Sequence, residues 1–166
     1  MNRKQKGFSL IELLIVVAII LIIAAIAIPN LMRAKMAANE SSAVGSLRTI
    51  TTAEVSYSTT YGTGYAPLAD LGGAAPCTAA AATACLIDNA LAGGTKSGYT
   101  IATSVPAGLG TVAAPNTSFL ATAAPITIGQ SGQRSFCTDE SGVIRYDLTG
   151  TTAASVAACQ LLQPLQ

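Results

Sequence analysis

The chain has 166 residues, 51% of them hydrophobic, and a net charge of only +1. With no histidine and no tryptophan, it has no His-based triad, HExxH zinc site or CxxCH haem attachment. Charged residues make up 10%, about half the usual share, so the surface of a free monomer would be poorly protected. Such a composition favours a protein covered by copies of itself or by glycans.

Residues 1–7, MNRKQKG, hold Arg3, Lys4 and Lys6 and read as a short cytoplasmic n-region. The positive-inside rule keeps this end in the cytosol and sends the rest out, an asymmetry that Arg33 and Lys35 on the far side reduce. Past residue 7 there are six Lys/Arg against eight Asp/Glu. With no basic patch, nucleic acid is not expected as the main partner.

From Phe8 to Ile28 there are 21 residues, and Glu12 is the only charge among them. A helix of that length spans ~30 Å, the thickness of a bilayer's hydrocarbon core. A cleaved secretory signal is one reading, since Ala25-Ile26-Ala27 fits an A-x-A site. Against it, an h-region is usually ~7–15 residues long. An acid at a helix centre also costs ~2.5–3.5 kcal/mol on insertion scales, less near an end. An acid retained in such a place calls for a partner. Pro29 has no N–H and crowds the carbonyl of Ala25. The expectation is a kink or local melting around Ala24–Pro29, or a plain helix end at the membrane surface.

Residues 30–61 read as an amphipathic helix. Val44, Leu47, Ile50, Glu54, Tyr57 and Tyr61 step by three or four and mark one stripe. Ser, Thr and Gly45 dilute helix propensity, so packing must hold it. Residues 62–97 are rich in Gly and Ala, without a period, and read as a connector loop with a short helix near Ala84–Leu91. Residues 98–166 hold the strand signals: Gly98–Ser104, Thr117–Ala123, Arg134–Cys137 and Val143–Tyr146. Asp139-Glu140-Ser141-Gly142 suits a hairpin turn. The expected fold is α+β, a long helix packed on an antiparallel meander of three to four strands, followed by a tail from residue 147.

Four cysteines, Cys77, Cys85, Cys137 and Cys159, all follow the apolar helix and contain no CxxC pair, a pattern that exported chains use for disulfides. No catalytic set stands out, and no cofactor or metal is expected. Asp139 and Glu140 read as a solvated turn, with a minor calcium reading if Asp147 joins them. Asn39-Glu40-Ser41 and Asn116-Thr117-Ser118 match the N-glycosylation sequon, a pattern common by chance. Tyr57, Tyr61 and Tyr65 step by four and read as a core stripe rather than a conducting stack.

Gly7-Phe8-Ser9-Leu10-Ile11-Glu12-Leu13, the apolar run and Pro29 together resemble the N-terminus of type IV prepilins and of type II secretion pseudopilins. The likeness is close over roughly residues 5–35 and looser beyond. It implies cleavage of the Gly7–Phe8 bond by a prepilin peptidase on the cytoplasmic side and N-methylation of Phe8. It also implies a helix that continues past Pro29, and the ladle shape of a pilin. The subunit would sit in the inner membrane, N-terminus cytoplasmic. An assembly platform and ATPase would then polymerise it into an extracellular helical homo-oligomer for adhesion, twitching or DNA uptake. Glu12 would pair with the Phe8 amine of a neighbouring subunit. Where many members have a Gly eight residues before the proline, this chain has Leu21, which bears on how far a filament helix unwinds. Similar pilins tie the C-terminal region to the sheet by a disulfide. The expected pairing is Cys77–Cys85 with Cys137–Cys159, the other two pairings remaining open. The alternatives are a secretion pseudopilin and, from another class, a secreted binding protein released after Ala27.

Overall fold

The computed structural model describes residues 8–107 and 110–165. The chain divides at Lys35/Met36 into an N-terminal unit and a larger C-terminal unit. Helix α1, Leu10–Tyr61, passes from one to the other. It runs through Pro29 without a break, so the helix neither ends nor melts at that residue. The proline costs one ladder bond, at the Ala25 carbonyl, in a helix of 52 residues.

In the C-terminal unit the stripe legible in the sequence is the buried face of α1. Leu47, Ile50 and Glu54 are fully buried, Val44 and Tyr57 nearly so. After the helix come two single turns, α2 (Leu68–Leu71) and α3 (Asn89–Ala92). Helix α3 starts later than the sequence suggests because Asp88 caps it, its side chain accepting the N–H of Leu91 at 2.7 Å.

The sheet has six strands in sequential antiparallel order. They are β1 (Thr95–Lys96), β2 (Tyr99–Ala107), β3 (Ser118–Pro125), β4 (Ser135–Asp139), β5 (Arg145–Asp147) and β6 (Gln163–Pro164). The meander of β2–β5 is the one expected from sequence. The edge strands β1 and β6 raise the count beyond three to four; two residues carry no alternation for a sequence reading to detect.

Both faces of the sheet are used. Tyr99, Ile101, Phe119, Ala121, Ala123 and Phe136 join the α1 stripe in the main core. Leu120 and Cys137, on the opposite face, form a second small cluster with Cys159. Cys159 lies on α4 (Val156–Gln160), whose first turn is capped by Ser155. The region read as a tail thus covers the outer face of the sheet. This explains why all five residues of β4 are buried rather than every second one.

Two disulfides are present, Cys77–Cys85 and Cys137–Cys159. The first is exposed, whereas Cys137 and Cys159 are buried. Loop entropy gives roughly 2.5 kcal/mol for the shorter bridge and roughly 3.5 for the longer. Serine at Cys137 and Cys159 would also bury two hydroxyls. We therefore expect Cys137→Ser/Cys159→Ser to lower stability by about 4–5 kcal/mol, and Cys77→Ser/Cys85→Ser by about half that. Equal shifts in denaturant midpoint would show that burial of the second bridge adds nothing.

Candidate functional site

The N-terminal unit offers a helix and one charge. Gly7 lies outside the described residues. Phe8 precedes the helix and is 73% exposed. The first turn closes with Leu13 N–H donating to the Ser9 carbonyl at 3.2 Å. Glu12 lies in that turn, where unpaired N–H groups and the helix dipole favour negative charge. Its side chain is exposed and makes no hydrogen bond or ion pair among the described residues. Leu10, Leu13, Leu14, Val17, Ala18 and Leu21 line a shallow groove along the same stretch, almost wholly apolar. The apolar part of α1 is long and hydrophobic enough to cross a membrane. A long apolar surface with one acid at its end suits a lipid bilayer or other helices of its own kind.

The C-terminal unit holds its charges differently. Glu40, on α1, accepts four hydrogen bonds from the two residues that lead into β4. Its Oε1 takes the N–H groups of Gln133 (3.0 Å) and Arg134 (3.1 Å); its Oε2 takes Arg134 Nε (2.9 Å) and Nη2 (2.7 Å). Arg134 also lies 5.5 Å from the ring centres of both Phe136 and Tyr146. Burial pushes the Glu40 carboxyl up, but the hydrogen bonds and the guanidinium outweigh it and hold it below its usual value. Nothing local in the sequence signals this clamp, whose partners are 94 residues apart.

Asp139 corrects the solvated-turn reading. The turn is there, with Gly142 N–H donating to the Asp139 carbonyl at 2.9 Å and Gly142 at φ +72°. Glu140 is exposed, but Asp139 is fully buried because the C-terminal segment covers this face. Its carboxylate accepts from Ser141 N (3.0 Å), Ser141 Oγ and Gln160 Nε2 (2.9 Å), with Arg145 Nη1 at 3.7 Å. Burial raises its pKa; these donors bring it below the ordinary value. Asp147 turns instead to Thr149 and Thr151. Among the described residues no group of three or more Cys, Asp or Glu is placed to hold a metal ion.

The sequon asparagines are both engaged. Asn116 is buried and its Nδ2 donates to the Tyr65 carbonyl at 2.7 Å; Asn39 Nδ2 donates to the Ser131 carbonyl at 2.7 Å. Neither amide is free for a glycan in this fold. Tyr57 and Tyr61 pack at 4.7 Å, while Tyr65 leaves the helix and packs on Phe119 at 4.8 Å. The three do not form one stack.

Residues 2–28 match the family described as "Prokaryotic N-terminal methylation motif". The chain is also similar, over part of its length, to two major pilins. It is 48% identical over 56 residues to the "Type IV major pilin protein PilA" of Myxococcus xanthus, a stretch covering 34% of this chain and 26% of that protein. To the "Type IV wide pilus major component PilA4" of Thermus thermophilus it is 62% identical over 39 residues, covering 24% of this chain and 30% of that protein. The chain therefore spans less than a third of the length of either relative, and no solved structure matches it.

Proposed function

We propose that this chain is a structural, non-enzymatic subunit of a type IV pilus, assembled through its N-terminal helix. The observation that carries this reading is Glu12: one acid in the first turn of an otherwise uncharged membrane-length helix, five residues after Gly7. The methylation motif and the names of the two relatives support it, and those names favour a pilus over a secretion pseudopilus.

The order of events follows from charge. The precursor enters the inner membrane with residues 1–7 in the cytosol. A prepilin peptidase cuts after Gly7, which creates an α-amino group on Phe8, and N-methylation keeps that group cationic. Glu12 then has the partner that the membrane helix itself lacks, on the neighbouring subunit. An acid left unpaired in a low-dielectric core is costly, so the pair selects register. An assembly platform and ATPase extract the subunit into the extracellular filament, which serves adhesion, twitching or DNA uptake. A kink at Pro29 and an unwound stretch before it belong to the filament state, with Leu21 keeping more of the core helical than glycine would.

N-terminal mass spectrometry of filaments or membranes tests the reading. The expected mature terminus is N-methyl-Phe8. A terminus at Ile28 would mark an ordinary secreted protein and end the proposal.

A further inference from the structure

Two carboxylates of α1 are buried in the C-terminal unit, and they are treated in opposite ways. Glu40 meets a guanidinium and two backbone N–H groups. Glu54, two helical-stripe steps past Leu47, is 0% exposed and meets one donor, the Ala66 N–H at 2.9 Å from its Oε2. Its Oε1 is buried without a hydrogen-bond partner.

Among the described residues, the groups around Glu54 offer no cation. Along its own helix the stripe continues with Tyr57, whose hydroxyl donates to the Ala81 carbonyl, and Tyr61. From the segment after the helix comes Tyr65, packed on Phe119 of β3. From the β4–β5 turn comes Glu140, whose charge, like that of Glu54, acts on the Tyr65 phenol. Lys96, Arg134 and Arg145 are engaged elsewhere, with Asp88, Glu40 and Asp139. Arg48 is exposed on α1 and makes no ion pair with Glu54.

The donor to Glu54 belongs to a short seam. Asn116 N–H donates to the Thr63 carbonyl (2.9 Å), Tyr65 N–H to the Asn116 carbonyl (3.1 Å), and Asn116 Nδ2 to the Tyr65 carbonyl. Gly64 is obligatory there: its φ is +80°, and a Cβ would strike the backbone of Asn116. The seam binds residues 63–65 to the entry of β3. Only Glu54 fastens the adjoining Ala66 N–H to α1.

We propose that Glu54 is a proton-controlled latch, which in its neutral form fastens the 63–66 segment to the last turns of α1 and on ionising releases it. A neutral carboxyl tolerates one hydrogen bond and an apolar wall. A carboxylate with an orphan oxygen and no counter-charge does not, and the route to water is outward movement of the segment that covers it. Burial agrees with this, pushing the Glu54 carboxyl up to about 7, with the Ala66 N–H opposing. The latch operates in a single subunit and needs no filament.

An acid that binds its proton more tightly folded than unfolded stabilises the fold at low pH. That contribution is lost as pH rises between about 4.5 and about 7. The full span corresponds to roughly a 300-fold fall in the folding constant. The experiment uses the full chain in detergent, with denaturant titrations at pH 5 and pH 8 on wild type and Glu54→Gln. Protection factors for the Tyr65 and Ala66 amides are followed alongside. Wild type is expected to lose about two orders of magnitude in folding constant and protection across this window, and Glu54→Gln to stay nearly flat. Parallel pH profiles for the two chains would overturn the latch. Should the glutamine variant fail to fold, a carbon-13 titration of the wild-type Glu54 carboxyl decides: a midpoint near 7 supports the latch and one near 4.5 overturns it.

Discussion

Glu12→Val is expected to insert into the membrane normally and to assemble hardly at all. Valine suits the bilayer better than glutamate, so insertion should hold or improve. The loss falls on the filament, where the Phe8 amine of each neighbouring subunit would be buried with no counter-charge. Breaking one side of a buried pair costs about 3–5 kcal/mol. A cost of even 3 kcal/mol per contact raises the concentration needed for assembly by about a hundredfold. Filament mass sheared from cells, set against the chain's level in membranes, measures this directly. Glu12→Asp serves as the second point, because it keeps the charge on a shorter arm and should recover part of the yield. Wild-type filament mass from Glu12→Val would refute the pairing.

Glu40→Ala is expected to destabilise the C-terminal unit strongly. It strips two backbone N–H groups of their acceptor and leaves the Arg134 guanidinium, stacked on Phe136 and Tyr146, without its carboxylate. Arg134 is partly exposed and water can repay some of the loss. The expected cost is therefore about 3 kcal/mol, or on the order of 10 °C in melting temperature. Glu40→Gln keeps an acceptor and should recover about half. A shift within about 0.5 kcal/mol for Glu40→Ala would show the clamp to be energetically idle.

The pH dependence of this clamp has the opposite sign to that of Glu54. The Glu40 carboxyl ionises more readily folded than unfolded, so its contribution is present above its ordinary value of 4.5 and is lost as pH falls below it. Glu54 contributes on the acid side and loses its contribution toward pH 7. Taken together, the two acids narrow the pH range in which α1 is held at both Glu40 and Glu54. A double variant, Glu40→Gln/Glu54→Gln, should show a flatter stability profile than either single change.

Helix α1 was legible in the sequence for local reasons. Its outer part is a run of apolar residues, and its inner part a stripe at helical spacing from Val44 to Tyr61. The single acid of the first part marked Glu12 as a candidate without any fold in view. The four central strands and their hairpin turn were legible from Thr, Val, Ile and aromatic content and from turn residues. Glu54 was visible as an acid within a stripe of core positions, but the sequence does not show that it lacks a counter-charge.

Composition and periodicity therefore determined the membrane-length helix, its buried stripe, the order of the main strands and the acid at Glu12, because each is written within a few neighbouring residues. Tertiary structure alone decided that Glu40 meets Arg134, that Asp139 is buried, that Asn116 is tied to Tyr65 and that Glu54 is left with one donor. Those outcomes depend on residues 12 to 94 positions apart. A charge's environment is set by what folds over it, and side-chain spacing along the chain does not report that.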